Sequence, residues 1–174
     1  VFMLAAGTNF TLFYFGLKLK IKKFLKNDEF KWYLFSVILL SVLLTFYHYH
    51  MFNDTYSILG SMREVSFQLI SIITTTGYAT ADYTTWGAFF TFLFFLFLFS
   101  GASAGSTSGG IKIVRHVVLL KNSYIELKKQ LHQQGVFILR FNNSKVPQSV
   151  VTNILAFMML YVVIFSIGSV IMTL

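Results

Sequence analysis

Residues 61–78 read Ser-Met-Arg-Glu-Val-Ser-Phe-Gln-Leu-Ile-Ser-Ile-Ile-Thr-Thr-Thr-Gly-Tyr, and this stretch decides the fold. Ser61 and Glu64 are spaced as a capping box, and Val65, Leu69 and Ile72 recur at helical spacing, so a short helix is expected over 61–73. On one side lies Trp32 to Met51, without a Lys, Arg, Asp or Glu; on the other an apolar run begins at Trp86. The first is a transmembrane span by length, since about 20 apolar residues cross the hydrocarbon at about 1.5 Å each. The helix between them is too short to cross, so it enters the membrane from one face and returns to it. Its C-terminal end carries partial negative charge that favours a cation. The turn Thr74-Thr75-Thr76-Gly77-Tyr78 follows at once. Non-helical backbone at membrane depth must be buried in protein or line water. Three hydroxyls and a run of carbonyls are the hard oxygen ligands that replace an alkali ion's hydration shell, and Gly77 opens backbone angles closed to other residues. A polar turn that merely caps a re-entrant helix is the plainer alternative.

Composition supports a membrane setting. Of 174 residues 56% are hydrophobic and 11% charged, with 21 Phe, against about 25% charged in soluble domains. The absence of Cys excludes disulfide frameworks, thiolate zinc sites and cysteine nucleophiles. Val1 to Leu17 is mostly apolar and runs into Lys18, Lys20, Lys22, Lys23 and Lys26, as the cytoplasmic end of a membrane helix would. Residues 150–174 form another uncharged apolar stretch long enough to span. Three full spans and one partial span are expected. Since the chain begins at Val1 and ends inside an apolar run, it reads as an internal piece of something longer. Apart from Arg63, every Lys and Arg lies in 18–31 or 112–145. Both clusters are expected in the cytoplasm, which leaves 52–85 outside with Asp54, Glu64 and Asp82. A negative outer mouth concentrates cations, although simple solvation of a loop explains three acids as well.

Residues 100–110 read Ser-Gly-Ala-Ser-Ala-Gly-Ser-Thr-Ser-Gly-Gly. Glycines spaced by four allow close helix packing in lipid. The hydroxyls and the Gly-Gly pair argue instead for a broken helix beside an aqueous path. Lys112 and Arg115 follow; an electrostatic role in a pore is possible for them, with snorkelling to headgroups the favoured reading. His48 and His50, at i and i+2, point to different helix faces and hold no metal together, and interface placement is expected for them. His116 and His132 lack ligand company. Glu126, Lys128 and Lys129 fit a short helix, and 136–141 a short strand or hairpin arm. The basic clusters adjoin spans without a nucleic-acid-binding fold, so nucleic acid is excluded as a partner, whereas membrane lipid is expected. Acid-base pairs and nucleophile motifs are missing, so no enzyme is expected.

The run Thr74 to Tyr78, then Ala81-Asp82-Tyr83 and Trp86, then Gly101-Ala102-Ser103-Ala104-Gly105-Ser106-Thr107-Ser108-Gly109-Gly110-Ile111-Lys112, resembles the Trk/Ktr/HKT superfamily of potassium transporters, most closely its TrkH-type membrane subunits. Gly7-Thr8-Asn9-Phe10 resembles the end of the preceding repeat's inner helix. The resemblance covers essentially the whole chain. It departs from the common family form at Gly101-Ala102-Ser103, where Gly-Gly-Cys or Gly-Gly-Ser is frequent. It implies an all-α integral membrane fold of helix, re-entrant pore helix, filter loop and broken helix, repeated four times around one pore. Residues 1–26 would close the second repeat. Residues 27–120 would form the third, with outer helix 31–52, pore helix 61–73, filter loop 74–80 and broken inner helix 86–120. Residues 121–149 would be a cytoplasmic connector and 150–174 the first helix of the fourth repeat.

By the same resemblance the carbonyls of Thr75, Thr76, Gly77 and Tyr78 would coordinate potassium. The stretch holding Gly101, Gly105, Ser106, Thr107, Gly109 and Gly110 would obstruct the pore until activation. The resemblance further implies potassium as transported substrate with no cofactor, a homodimer in the inner membrane, and a TrkA-type nucleotide-binding regulatory subunit on the cytoplasmic face. The function expected is gated potassium uptake. A non-conducting scaffold or regulatory subunit, built on small-residue helix packing, is the alternative.

Overall fold

Asn27 starts the long apolar helix: its side chain accepts the Phe30 amide at 3.1 Å, and Asp28 and Glu29 fill the first turn, where carboxylates complement the helix dipole. The helix therefore begins three residues before the expected start at 31. The computed structural model describes residues 1–19, 26–52, 55–132, 135 and 137–173. Lys20, Lys22, Lys23, Asp54 and Val136 of the sequence reading lie outside the described residues. In chain order the elements are α1 (Phe2–Ala6), α2 (Phe10–Leu17), α3 (Asp28–Met51), α4 (Ile58–Ile73), a 3-10 turn (Tyr83–Trp86), α5 (Ala88–Leu98), α6 (Ile113–Leu131), a hairpin of β1 (Arg140–Phe141) and β2 (Ser144–Lys145), and α7 (Gln148–Thr173).

Two of these, α3 and α7, are long and apolar enough to cross a bilayer. The segment from Trp86 does not supply the third full span expected. At 11 residues, α5 covers only about 16 Å, and the backbone then leaves helical geometry until Ile113. The N-terminal run is likewise not one helix. It breaks after Ala6, and Asn9 restarts it by accepting the Thr11 amide at 2.8 Å.

α4 begins at Ile58 rather than at 61, because Ser57 is its cap, with Oγ accepting the Gly60 amide at 3.2 Å. The expected Ser61–Glu64 capping box is thus corrected. Ser61 is buried one turn inside the helix and shares a hydrogen bond of 3.0 Å with His48 Nδ1. His48 itself is fully buried, not placed at an interface. Its ring packs 4.6 Å from Trp86 and 5.0 Å from Phe52, centroid to centroid. His50 is exposed, on another face, as the i, i+2 spacing requires.

The chain divides into two compact units, residues 1–114 and 115–174. In the first, Tyr33, Val37 and Leu44 of α3 pack with Val65, Leu69 and Ile72 of α4 and with Trp86, Phe90 and Phe94. The expected stripe of α4 is therefore its buried face. In the second unit Arg115 lies 3.7 Å over the Phe157 ring. Lys121 stands 5.5 Å over Phe141 and donates to the Arg140 carbonyl at 3.4 Å. Glu126, Lys128 and Lys129 belong to the long α6 rather than to a separate short helix, with Lys129 paired to Glu126 at 2.7 Å. The strand at 136–141 is reduced to Arg140 and Phe141, turned back through Asn142 and Asn143, both at positive φ (49° and 63°). Asn tolerates that conformation, and a two-residue turn of this kind matches the twist of a hairpin.

Candidate functional site

The turn at 74–80 is folded back onto the last turns of α4. The Thr74 amide donates to Ile70 O at 2.9 Å, Thr75 to Ile72 O at 3.0 Å and Thr76 to Ser71 O at 3.0 Å. The chain thus stays hydrogen-bonded after the helix ends. Two buried polar side chains of α4 reach further along it. Ser71 Oγ donates to Tyr78 O at 2.6 Å, and Gln68 Nε2 donates to Ala81 O. Each is 1% exposed, so the donors themselves are withdrawn from water, where leaving a polar group unpaired is expensive. Thr74 and Thr76 join hydroxyls at 2.7 Å. Thr75 (φ 53°) and Gly77 (φ 77°) both adopt left-handed backbone. For β-branched Thr75 this is strained; for Gly77 it is natural. One face of the turn is therefore anchored to α4, while residues 75–80 are exposed on the other.

Past the turn, Asp82 caps the 3-10 segment. Its Oδ1 accepts from the Thr84 amide at 2.9 Å and from the Thr84 hydroxyl at 2.6 Å. Both donors favour the charged form and hold the carboxyl below its usual range.

The Gly- and Ser-rich stretch is a closed loop with its own neck. Gly101 N donates to Ile111 O at 2.8 Å and Ile111 N to Phe99 O at 2.9 Å, so both ends of the loop are tied together. A Cβ on Gly101 would run into the Gly109 carbonyl, and Gly105 and Gly110 take positive φ (71° and 66°). Serines fill the interior. Ser108 Oγ accepts the Ala102 amide at 3.0 Å, and Ser106 Oγ donates to Ser103 O at 2.6 Å. The helix break expected from these residues is present.

Four neighbours brace the loop. At the α1–α2 break, Ser103 N donates to Gly7 O at 3.0 Å, Phe10 N donates to Gly105 O at 3.1 Å, and Thr107 Oγ1 donates to Ala6 O at 3.2 Å. From α3, Glu29 Oε1 accepts the Ala104 amide. From the turn at 74–80, Thr75 Oγ1 accepts the Gly109 amide at 2.8 Å. From beyond the neck, Lys112 Nζ donates to the Ser108 carbonyl and, at 3.1 Å, to its hydroxyl. Lys112 thus turns back into the loop, which corrects the preference for snorkelling. Arg115 lies in the other unit, on Phe157.

The structure therefore brings Thr75 together with Gly109 and gathers Gly101, Gly105, Ser106, Thr107 and Gly110 into one loop. Thr76, Gly77 and Tyr78 stand in the turn beside it. Sequence reasoning missed Glu29, Gln68 and Ser71. For the last two a signal existed: they are polar residues interleaved with Val65, Leu69 and Ile72 on the buried stripe. Glu29 offered no such signal, being an acid in a first helical turn. Among the described residues no group of three or more His, Cys, Asp or Glu is placed to hold a metal. The oxygens offered to a cation here are carbonyls and hydroxyls.

The family described as TrkH, cation transport protein, matches residues 1–173. The chain belongs to the TrkH family. Its members transport cations and are not enzymes. The chain is 32% identical over 157 residues to the Trk system potassium uptake protein TrkI of Halomonas elongata, covering 90% of this chain and 31% of that protein. It is 28% identical over 172 residues to the Trk system potassium uptake protein TrkH of Escherichia coli, covering 97% and 35%. The crystal structure of the potassium transporter TrkH from Vibrio parahaemolyticus superposes with a TM-score of 0.84 at 29% identity, over 95% of this chain and 36% of that one. The chain therefore spans about a third of the length of the curated relatives it matches. Family and superposition together make it an all-α membrane segment of helix, short re-entrant helix, turn and broken helix.

Proposed function

We propose that this chain is the third of four repeats of a potassium uptake protein of the cytoplasmic membrane, with 1–26 ending the second repeat and 150–174 opening the fourth. The carbonyls of Thr75, Thr76, Gly77 and Tyr78 form one quarter of the filter, that of Tyr78 with the lone pair left over from its 2.6 Å bond to Ser71 Oγ. The loop holding Gly101, Gly105, Ser106, Thr107, Gly109 and Gly110 is the gate. The observation that carries this reading is the 2.8 Å bond from the Gly109 amide to Thr75 Oγ1, which sets the loop directly against the filter turn. Two relatives bear potassium uptake in their names. The exposed face of 75–80 also supports it, since polar backbone at membrane depth must meet protein or a water-filled path.

The steps follow from the residues. A hydrated cation reaches an outer mouth carrying Glu64 and Asp82, exchanges water for carbonyl oxygens at 75–78, and continues only when the loop leaves the path. No energised step is needed for the movement itself, because an inward unit charge gains about 2.3 kcal/mol per 100 mV. The basic clusters 18–31 and 112–145 face the cytoplasm, where Lys121, Lys128 and Lys129 offer a surface to a TrkA-type regulatory subunit. The full protein is a homodimer.

The test is growth at low potassium, and rubidium uptake, of an uptake-deficient bacterium carrying the full-length parent or its Gly77→Ser variant. Rescue by the parent, with weakened uptake or relaxed selectivity in the variant, is expected. A well-expressed parent that moves no rubidium beside its regulator, or a variant identical to the parent, removes the filter reading.

A further inference from the structure

Glu29 is a buried carboxylate with no part in the filter chemistry, and its position calls for a reason. The residue is 6% exposed. The helix start does not require it there, because Asn27 already caps the Phe30 amide at 3.1 Å. Instead the carboxylate takes the amide of Ala104, which lies 75 residues further along the chain, near the tip of the broken-helix loop. One turn on, at i+4 and hence on the same helix face, fully buried Tyr33 donates its hydroxyl to Leu4 O at 3.2 Å. A Cβ on Gly7 would strike that hydroxyl and come within 3.0 Å of Ala102 Cβ. The first turns of α3 therefore hold two segments at once, the loop and the α1–α2 break on which the loop rests. Across the loop, Lys112 binds the Ser108 carbonyl. A carboxyl and an ammonium thus grip loop backbone, one at Ala104 and one at Ser108. Backbone is a suitable handle, since a charged acceptor or donor makes the stronger kind of hydrogen bond and demands no particular side chain from a glycine-rich segment.

We propose that Glu29 is a positioning residue that, with Lys112, latches the 101–110 loop in its obstructing position. This rests on the loop being the gate, and it adds which side chains set the closed population. Removing the carboxyl takes from the half-buried Ala104 amide the acceptor that ties the loop to α3, so the loop leaves its site more often. Glu29 bonds to the loop rather than to the turn at 74–80, so ion preference stays as it was.

The test uses the full-length parent with its regulator in proteoliposomes. A Ser106→Cys reporter on a background without other accessible thiols is labelled by a membrane-impermeant maleimide, and rubidium flux is measured in parallel. Glu29→Ala is expected to raise both the labelling rate and the flux in the resting state by about tenfold, the equilibrium change that losing one hydrogen bond to a charged group produces. The rubidium-to-sodium ratio should not change. Glu29→Gln keeps an oxygen for the Ala104 amide and should fall between parent and Ala. Lys112→Met should move labelling the same way from the other side, which keeps the test alive should Glu29→Ala fail to fold. Unchanged labelling in Glu29→Gln and Lys112→Met, or flux that rises without labelling, overturns the latch. Labelling that rises tenfold while flux stays flat upholds the latch and removes the gate reading on which it was built.

Discussion

The two polar segments of the first unit are built in opposite ways. The loop at 101–110 is gripped on several sides by the α1–α2 break, Glu29, Thr75 and Lys112, and its neck is closed by its own backbone. The turn at 74–80 is anchored on one side only, through Ser71, Gln68 and the end of α4, and its other face is open. The difference teaches where each segment gets its shape. The loop is specified within these residues. The turn has only its back specified, and residues 75–80 are exposed on the other side.

The sharpest way to break this contrast is at the loop's neck. In Gly101→Ala the new methyl meets the Gly109 carbonyl, which is backbone and cannot rotate away. A loss of about 3 kcal/mol or more is expected, at the upper end of overpacking effects. The readout is the melting point of the purified full-length parent. A methyl placed on Gly16, inside α2, would meet nothing within 4 Å, so Gly16→Ala should gain up to about 1 kcal/mol instead. Equal melting points for the two variants would mean that the neck is not closed as described.

In the turn the same change acts differently. Gly77→Ala meets no atom, since the space beside it is open, but φ is 77°. The expected cost is about 1 to 2 kcal/mol, the penalty of left-handed backbone for a side-chain-bearing residue. If the turn is finished only by distant groups, transport should suffer far more than stability does. A melting point lowered as much as by Gly101→Ala would place Gly77 in a packed environment and weaken the contrast.

Where the two segments meet, Thr75 gives the intermediate case. Thr75→Val removes the acceptor for the Gly109 amide while keeping the shape, and about 1 kcal/mol should be lost. Thr75→Ser keeps the hydroxyl and drops the strained β-branch, so it should equal or exceed the parent in melting point. If Val and Ser behave alike, the bond between loop and turn carries no stability.

What was legible beforehand follows the same division. The turn, the break and the buried stripe of α4 were visible because period, glycine and hydroxyl patterns are local. The capping box at Ser61 was misread because two serines four apart compete for one helix start, and only packing decides that Ser57 caps while Ser61 turns to His48. The span from Trp86 looked long enough in composition because nothing in an apolar run marks where backbone bonds will be made to the chain elsewhere. Glu29, and the side on which Lys112 bonds, were opaque for a related reason. Glu29 bonds to a backbone amide and Lys112 in part to a backbone carbonyl, so no partner side chain in the sequence announces the first and none alone announces the second.

The smallest expected effect lies at the mouth, where Asp82 offers a control with a known sign. Its carboxyl is exposed and held below the usual range by the Thr84 hydroxyl and amide. A group whose value is depressed in the folded state contributes above the unfolded value, near 4, and loses that contribution as pH falls through the folded one. Asp82→Ala should therefore melt slightly below the parent by a constant margin from pH 5 to 8, and the margin should close only under more acidic conditions. Asp82→Asn retains an oxygen that can accept from Thr84, so it should lie closer to the parent at neutral pH and show no such closure. The deficit of Gly101→Ala, being steric, should be the same at every pH. A margin for Asp82→Ala that persists unchanged below the folded value would show that the side chain acts through packing rather than through its charge, and that the mouth, like the loop, is specified by contact.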